Sequence, residues 1–427
     1  MLFNPASIAW NLWRSRRLSV DELQDLRNRK LRLMIRHAFE RVPYYRALFT
    51  SAGLSPEDVQ TTEDLKKIPV SAKEDLTAAG PDKFLAQGTD KGDCSFSRTS
   101  GSSGKPFSTY FNRRERMTRR LLGLRRLVDA GFRPWDRVCV MCDPGQLRSR
   151  RFRTRCLPAT LPVEEQFARL RAMQPTVLLV WPTVLGLLLY YARRRSERFI
   201  RPRIVAVTGE ECSDELRRTI ESDLGAEVFS FYNAGEFGPI ASECRAHQGL
   251  HVNADQMIVE FAPDAQADEP SDILITSLYS FTMPYIRYRI GDAGFLEEKQ
   301  CPCGSCFPRL RLVEGRNNNI IHLPGERMFS ASAVVSVVLR PFPTLRKFHL
   351  IQETADRLVL QAVFLEPPTA EILAYMQRRM FEYLGSGVKL DIAVVDSIDE
   401  ERARKFGSFT SRLPNPISSI AGADTQR

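Results

Sequence analysis

Hydrophobic positions recur at two different periods along this chain. Over residues 19–49, Leu23, Leu26, Leu31, Met34, Ile35, Ala38 and Phe39 return near helical spacing among arginines, which predicts a helix broken at VPYY from Val42. SPEDV at Ser55 and TTEDL at Thr61 then open short helical turns, each with a hydroxyl three residues ahead of an acid. From residue 136 the period changes. DRVCVMC (136–142), TVLLVW (176–181), RIVAVTG (203–209) and AEVFSFY (226–232) read as buried strands. Between and around them, residues 115–131, 163–173 and 213–225 read as helices. Strands alternating with helices predict an α/β domain with a largely parallel sheet, and such folds place their sites in the loops after strand ends.

The richest apolar run, VLLVWPTVLGLLLYYA from Val177, is interrupted by Pro182 and Gly186 and followed by arginines. It reads as a strand, a turn and a core helix, not as a membrane span. After Gly315 the pattern changes again. A connector, EGRNNNIIHLPGERM, leads to a helix at SASAVVSVVLR, strands at KFHLIQE and RLVLQAVFL, a helix over 369–383 and a strand at KLDIAVVD. That is a small α+β unit, with the break near Asn317 to Asn319 and a disordered tail at RLPNPISSIAGADTQR. The predicted domains are therefore 1–316 and 317–427.

The 427 residues carry 61 Lys and Arg against 51 Asp and Glu, a net charge of +10. Much of the excess lies in RRERMTRRLLGLRR (113–126) and LRSRRFRTR (147–155). These stretches read either as a solvated basic face or as a surface for an acidic partner: a nucleotide tail, coenzyme A or an acidic carrier protein. No aromatic-rich binding signature or zinc-finger helix accompanies them, so nucleic acid is not the expected partner. The opening MLFNPASIAWNLWRSRR lacks the basic-then-apolar order of a signal peptide. It reads as the start of an amphipathic helix with Trp10 and Trp13 on one side; packing onto the body is the expected use, and a membrane-surface use is open. Nine cysteines without a secretion signal point to a reducing, cytoplasmic setting.

Four stretches carry candidate chemistry. TSGSSGKPF (99–107) combines glycines that turn backbone N–H groups toward an anion with hydroxyl donors, and so can wrap phosphates; its spacing is not that of a Walker loop. FYNAGEFGPIASEC (231–244) presents Glu236 between two glycines after a strand, where a carboxylate could hold magnesium and Tyr232 could stack on a planar ring. MPYIRYRIGDAG (283–294) puts Asp292 at a turn after a strand, suited to a ribose diol. EGR ends in Arg316. Taken singly, each is also ordinary turn chemistry.

In this order the four motifs resemble the adenylate-forming superfamily of acyl-CoA synthetases, luciferases and peptide-synthetase adenylation domains. The likeness is greatest to the phenylacetate-CoA ligase branch, which RHAFERVPYYRALFTSAGLSPEDV, EDLKKIPVSAKEDL and the SECRAHQGLHV to CPCG arrangement also resemble. The resemblance implies a large N-terminal adenylate-forming domain with mixed sheets and helices, and a small C-terminal α+β lid that rotates between half-reactions. Thr99, Ser100, Gly101, Ser102, Ser103 and Gly104 would cover the ATP phosphates, with Lys105 nearby. Gly209 and Glu210 would lie beside the adenine and Tyr232 would stack on it. Glu236 would orient Mg2+ on the α-phosphate, and Asp292, supported by Arg316, would bind the ribose. Trp181, Phe231, Ala234 and Gly235 would line the pocket of an aromatic or other hydrophobic acid. The acceptor implied is CoA, a carrier-protein thiol or an amine.

Cys244 and His251, with Cys301 and Cys303, have the donor types of a tetrahedral zinc site, and the resemblance implies a structural zinc there; Cys306 and His247 are competing ligands. The chain also departs from the family. Gly235 stands where a hydroxyl usually precedes the glutamate, and Asn318 and Asn319 stand where aspartates are common. Ser408 stands where a Gly-Lys motif would supply the catalytic lysine, with Lys405 the nearest candidate. Loss of that lysine implies, as an alternative, a homologue that only transfers a preformed acyl group or binds nucleotide without turnover.

Overall fold

The apolar runs of the middle region pair in parallel. Ile204–Thr208, Val177–Val180, Val138–Cys142 and Thr154–Pro158 lie side by side in that order. The computed structural model describes residues 4–98, 108–142, 154–159, 161–210, 212–262, 271–297, 299–312, 320–325, 327–334, 345–364, 366–385, 387–398 and 409–413. Within them the chain divides into two compact units: Met1–Thr99, Phe107–Gly131 and Phe231–Val313 form one, and Ser100–Pro106, Phe132–Ser230 and Glu314–Arg427 the other.

The second unit holds the parallel strands. The apolar run from Val177 resolves as a four-residue strand buried on both faces and the helix Pro182–Arg194, whose first turn begins with proline. Leu178, Val180, Val184, Leu185, Leu188, Val205, Val207 and Ile220 share one core. The same unit contains a four-stranded sheet, ordered Lys389–Val394, Arg357–Phe364, Leu345–Thr354, Phe409–Ser411. Its helix Ala370–Leu384 is capped by Thr369 and buries Met376, Met380 and Leu384, one per turn. Only Ala331–Val334 of the expected helix at SASAVVSVVLR is described, and Asn317 to Asn319, most of Leu147 to Arg155 and the tail after residue 413 lie outside the described residues.

The first unit is antiparallel. Met257–Phe261, Ser271–Ser277, Tyr288–Glu297, Arg309–Leu312, Leu250–Val252, Gly238–Glu243 and Glu227–Ala234 follow one another across its sheet. The helix predicted over 19–49 is broken at VPYY as expected, into two helices. Val20–Arg41 starts at a Ser19/Glu22 capping box, and Pro43–Ser51 follows it. Pro43 forces Val42 into extended backbone (φ −114°, ψ 109°), which ends the first helix and starts the second with proline at its first position. The fold is thus mixed α/β: parallel and antiparallel ladders with a smaller C-terminal sheet. Among the described residues no helix is long and apolar enough to cross a membrane.

The helix Arg113–Asp129 departs from the reading of its sequence. Not all of its charges form a solvated face: Glu115, Thr118 and Arg125 are buried with Leu122 along one stripe. Arg125 makes a two-pronged contact with Asp255, at 2.9 and 2.8 Å, and neither side chain is appreciably exposed. Asp255 also accepts from the Ser15 hydroxyl at 2.6 Å and from Gln256 at 3.1 Å. Burial alone would raise its pKa, but Arg125, Lys30 and Ser15 outweigh burial and hold it at about 2. Because the folded pKa lies below the ordinary value, this carboxylate contributes stability above the ordinary value, and the contribution is lost as pH falls toward 2. Asp255→Ala leaves Arg125 buried without a counter-charge and is expected to cost about 3–5 kcal/mol in urea unfolding at neutral pH, with the difference from wild type shrinking in acid.

Candidate active site

The strands Glu227–Ala234 and Gly238–Glu243 form an antiparallel hairpin whose turn is Gly235, Glu236 and Phe237. Gly238 closes the turn at φ +67°, and a Cβ there would meet the Arg119 side chain at 3.1 Å. The carbonyl groups of the turn are all taken. Arg119 donates to Gly235 at 2.9 Å and also to Glu236, and the Tyr279 hydroxyl donates to Phe237 at 2.5 Å. Two helical turns after Arg119, Arg126 donates to the Asn233 side chain and lies 4.5 Å over the Phe231 ring. The hairpin is therefore held by arginines from one face of the helix Arg113–Asp129, at i and i+7.

This leaves the Glu236 side chain buried, with its Oε1 accepting from the Tyr288 hydroxyl at 3.3 Å. Burial raises its pKa; Lys73, Tyr288 and Arg119 pull the other way and do not prevail. Tyr232, on the same hairpin, donates its hydroxyl to Asp292 Oδ2 at 2.6 Å. Burial, then the Asp292 charge, pushes the Tyr232 pKa well above the phenolic range, so it stays a donor.

Asp292 is not at a turn after a strand. It lies inside the strand Tyr288–Glu297, where the register shifts: Asp272 pairs with Ala293 but Leu274 pairs with Arg289. Two steps on one strand thus face four on the other, and the extra residues bulge out. Gly291 sits in that bulge at φ +88°, a conformation that suits glycine, and Asp292 beside it is exposed.

In the second unit, Glu210 Oε2 accepts from the Thr183 amide at 3.0 Å and from its hydroxyl, capping the helix Pro182–Arg194. Its Oε1 is buried without a hydrogen-bond partner. Gly209, at φ +82°, approaches Trp181 so closely that a Cβ would lie 2.9 Å from the indole. Trp181, Gly209 and Glu210 thus gather in this unit, while Phe231, Tyr232, Ala234, Gly235, Glu236 and Asp292 gather in the other. Thr99, Ser100, Gly101, Ser102, Ser103, Gly104 and Lys105 lie outside the described residues, as do Arg316, Lys405 and Ser408.

A second cluster lies in the first unit. The ligand atoms of Cys244, His251, Cys301 and Cys303 are all within 4.8 Å of one another. Cys244 and Cys301 sulfurs are 3.6 Å apart, and Cys303 Sγ is 3.4 Å from His251 Nε2. Ligands of a tetrahedral zinc sit roughly 3.5–3.8 Å from one another, so the spacing fits that ion. His251 Nδ1 donates to the Phe307 carbonyl at 2.9 Å, which turns Nε2 toward the thiols. Burial raises the Cys244 pKa to about 12, whereas at Cys301 hydrogen bonds from Cys303 overcome burial and lower it. Among the described residues neither Cys306 nor His247 belongs to the four: Cys306 packs against the core, and His247 lies 3.5 Å from Glu243.

No protein-family model matches the chain. It is 27% identical over 428 residues to the phenylacetate-coenzyme A ligase of Pseudomonas putida, covering 92% of this chain and 95% of that one. It is 25% identical over 375 residues to the phenylacetate-coenzyme A ligase of Thermus thermophilus, covering 82% and 84%. Among solved structures, 2-hydroxyisobutyryl-CoA ligase in complex with 2-HIB-AMP and CoA matches with a TM-score of 0.66 at 20% identity, over 97% of this chain and 94% of that one. The chain is an adenylate-forming ligase, similar to phenylacetate-CoA ligases.

Reading the ligase's sequence missed two positioning residues, Arg119 and Arg126, because their stretch scans as a uniformly basic helix. The available signal was their seven-residue separation, which puts both on one face. The electrostatics of Glu236 yield a stability test. A carboxylate whose folded pKa is raised contributes stability below the ordinary carboxylate range and loses it as pH rises through the folded value. Glu236→Gln should therefore raise the melting temperature of the ligand-free ligase by a few degrees at pH 8, with the gain vanishing near pH 4 in calorimetry.

Proposed function

We propose that the ligase activates an aromatic or other hydrophobic carboxylic acid, of which phenylacetate is the first candidate, as an acyl-adenylate and passes the acyl group to coenzyme A. The observation that carries this is the placement of Tyr232, Glu236 and Asp292 on one hairpin and its facing bulge, with the Tyr232 hydroxyl bonded to Asp292. In this reading the Tyr232 ring packs on the adenine, and the Asp292 oxygen not held by Tyr232 accepts from the ribose hydroxyls. Gly209 and Glu210 lie beside the base, Thr99 to Lys105 wrap the phosphates, and Arg316 supports the ribose end. Trp181, Phe231, Ala234 and Gly235 line the acid pocket.

The chemistry follows from the leaving group. A free carboxylate is a poor acyl donor. Its oxygen attacks the α-phosphorus of ATP, the bond to the bridging oxygen breaks, and pyrophosphate leaves. The thiol of the acceptor then displaces AMP from the acyl carbon. Glu236 would hold Mg2+, which when bound supplies positive charge at the α-phosphoryl group; a single carboxylate completed by substrate phosphates is the usual protein share of such a site. Cys244, His251, Cys301 and Cys303 would hold Zn2+, fastening the loops before 251 and after 300 with no part in the reaction. The relatives' names favour CoA as acceptor over a carrier-protein thiol or an amine.

Ser408 supports a second reading, in which only acyl transfer survives. Pyrophosphate release separates the two. With ATP, Mg2+ and a panel of aromatic and aliphatic acids, release is expected to depend on the acid and to fall at least ~100-fold in Glu236→Gln, the scale of removing one transition-state electrostatic contact. Lys405→Ala should lower it further if that residue stands in for the missing lysine. Nucleotide binding without release from any acid would favour transfer alone. Cys303→Ser should lose its zinc by metal analysis and melt at a lower temperature, while the surviving folded fraction keeps its turnover number.

A further inference from the structure

The first helix has two faces with different chemistry. Pro5–Arg14 is packed inward through Leu12 and Ile8 against Leu121, Leu122 and Tyr279, and Ser15 just beyond it is tied to buried Asp255. Its position on the body is thus fixed by apolar contacts and a buried hydrogen bond. The other face is open. Trp10 is 60% exposed and Trp13 43%, their rings 5.3 Å apart, and the Arg17 guanidinium lies 4.1 Å over the Trp13 ring. From Asn4 to Ser19 there are three arginines and no acidic residue. Arg16 pairs with Asp129, whereas Arg14 has no ion-pair partner among the described residues.

On the other side of the helix from the indoles, a groove of about 710 Å³ runs between the first helix and Val20–Arg41. Ile8, Leu12, Leu18, Leu26, Leu33 and Phe281 supply its apolar lining, and Arg14, Glu22, Asp25 and Arg29 flank it. Leu33 is 63% exposed along it, and Arg29 likewise has no ion-pair partner among the described residues.

We propose that this face docks the ligase on an anionic lipid bilayer, with the helix lying in the plane of the surface. An indole has an apolar body and one N–H donor, and the bilayer interface satisfies both where bulk water satisfies only one. Arginines level with the indoles meet lipid phosphates, and from Asn4 to Ser19 no acidic residue opposes them. An acidic protein partner would use the arginines but would leave the paired indoles unexplained.

Vesicle co-sedimentation tests this with the full chain. Vesicles of phosphatidylcholine containing about 30% phosphatidylglycerol should bind the ligase, and phosphatidylcholine alone should bind it at least roughly tenfold more weakly. Trp10→Ser with Trp13→Ser, and separately Arg14→Glu with Arg17→Glu, should each weaken binding by roughly tenfold or more while pyrophosphate release from soluble substrates is unchanged. In a Trp135→Phe background, lipids brominated near the headgroup should quench the fluorescence of the remaining tryptophans when vesicles bind, a readout that does not depend on the surface variants folding. The proposal is overturned by equal binding to neutral vesicles, by undiminished binding of the double tryptophan variant, by absent quenching, or by binding to heparin without binding to vesicles.

Discussion

The part of the first unit that carries the Glu236 hairpin depends on where the arginines of one helix send their hydrogen bonds. Along Arg113–Asp129, Arg119 takes the carbonyls of the Gly235–Glu236 turn, Arg126 takes Asn233, and Arg125 takes Asp255 and the carbonyl of Leu12. Glu115 of the same helix accepts from the Thr282 amide at 2.7 Å. Loop carbonyls and amides buried without partners are costly, so a helix that satisfies several loops at once fixes their backbones together. The hairpin bearing Glu236 and the first helix with its exposed indoles both hang on this element.

That arrangement also explains why two buried carboxylates in one unit differ so sharply. Asp255 receives both prongs of a guanidinium and is held at about 2. Glu236 has Lys73 and Arg119 nearby, but the Arg119 guanidinium donates to main-chain carbonyls, and the carboxylate accepts from its own backbone amide and a phenol rather than from a guanidinium. Burial then dominates and the pKa rises. A buried acid short of positive charge is unfavourable for stability and well suited to receiving a cation, which is the usual relation between perturbed groups and function. Asp255 is part of the scaffold, whereas Glu236 has the electrostatics of a site.

The similarity to phenylacetate-CoA ligases extends over most of the chain at about a quarter identity, so it is carried by spacing and fold more than by side chains. Sequence patterning was enough for the elements whose signal is local. The strand and helix after Val177 follow from an unbroken apolar run divided by Pro182, and the cap of Ala370–Leu384 follows from Thr369. The four clustered Cys and His side chains were recognisable by type as possible metal ligands, although Cys306 and His247 could not be set aside until the loops were placed.

What the chain's sequence determined by itself was periodicity, punctuation and donor types: where helices and strands lie, where proline divides residues 19–49, and which residues could do chemistry. Tertiary structure alone decided how those residues are partnered. The bulge that lifts Asp292 from its ladder arises from a mismatch in length between two paired strands, Ser271–Ser277 and Tyr288–Glu297, and the pattern of neither strand alone encodes it. The conversion of a basic helix into a clamp for the Glu236 turn depends on carbonyls more than a hundred residues away. Charge counts along a chain do not distinguish an arginine in water from one buried against a carbonyl, because that difference lies in the dielectric and the geometry of the partner, and both are set only by the folded packing.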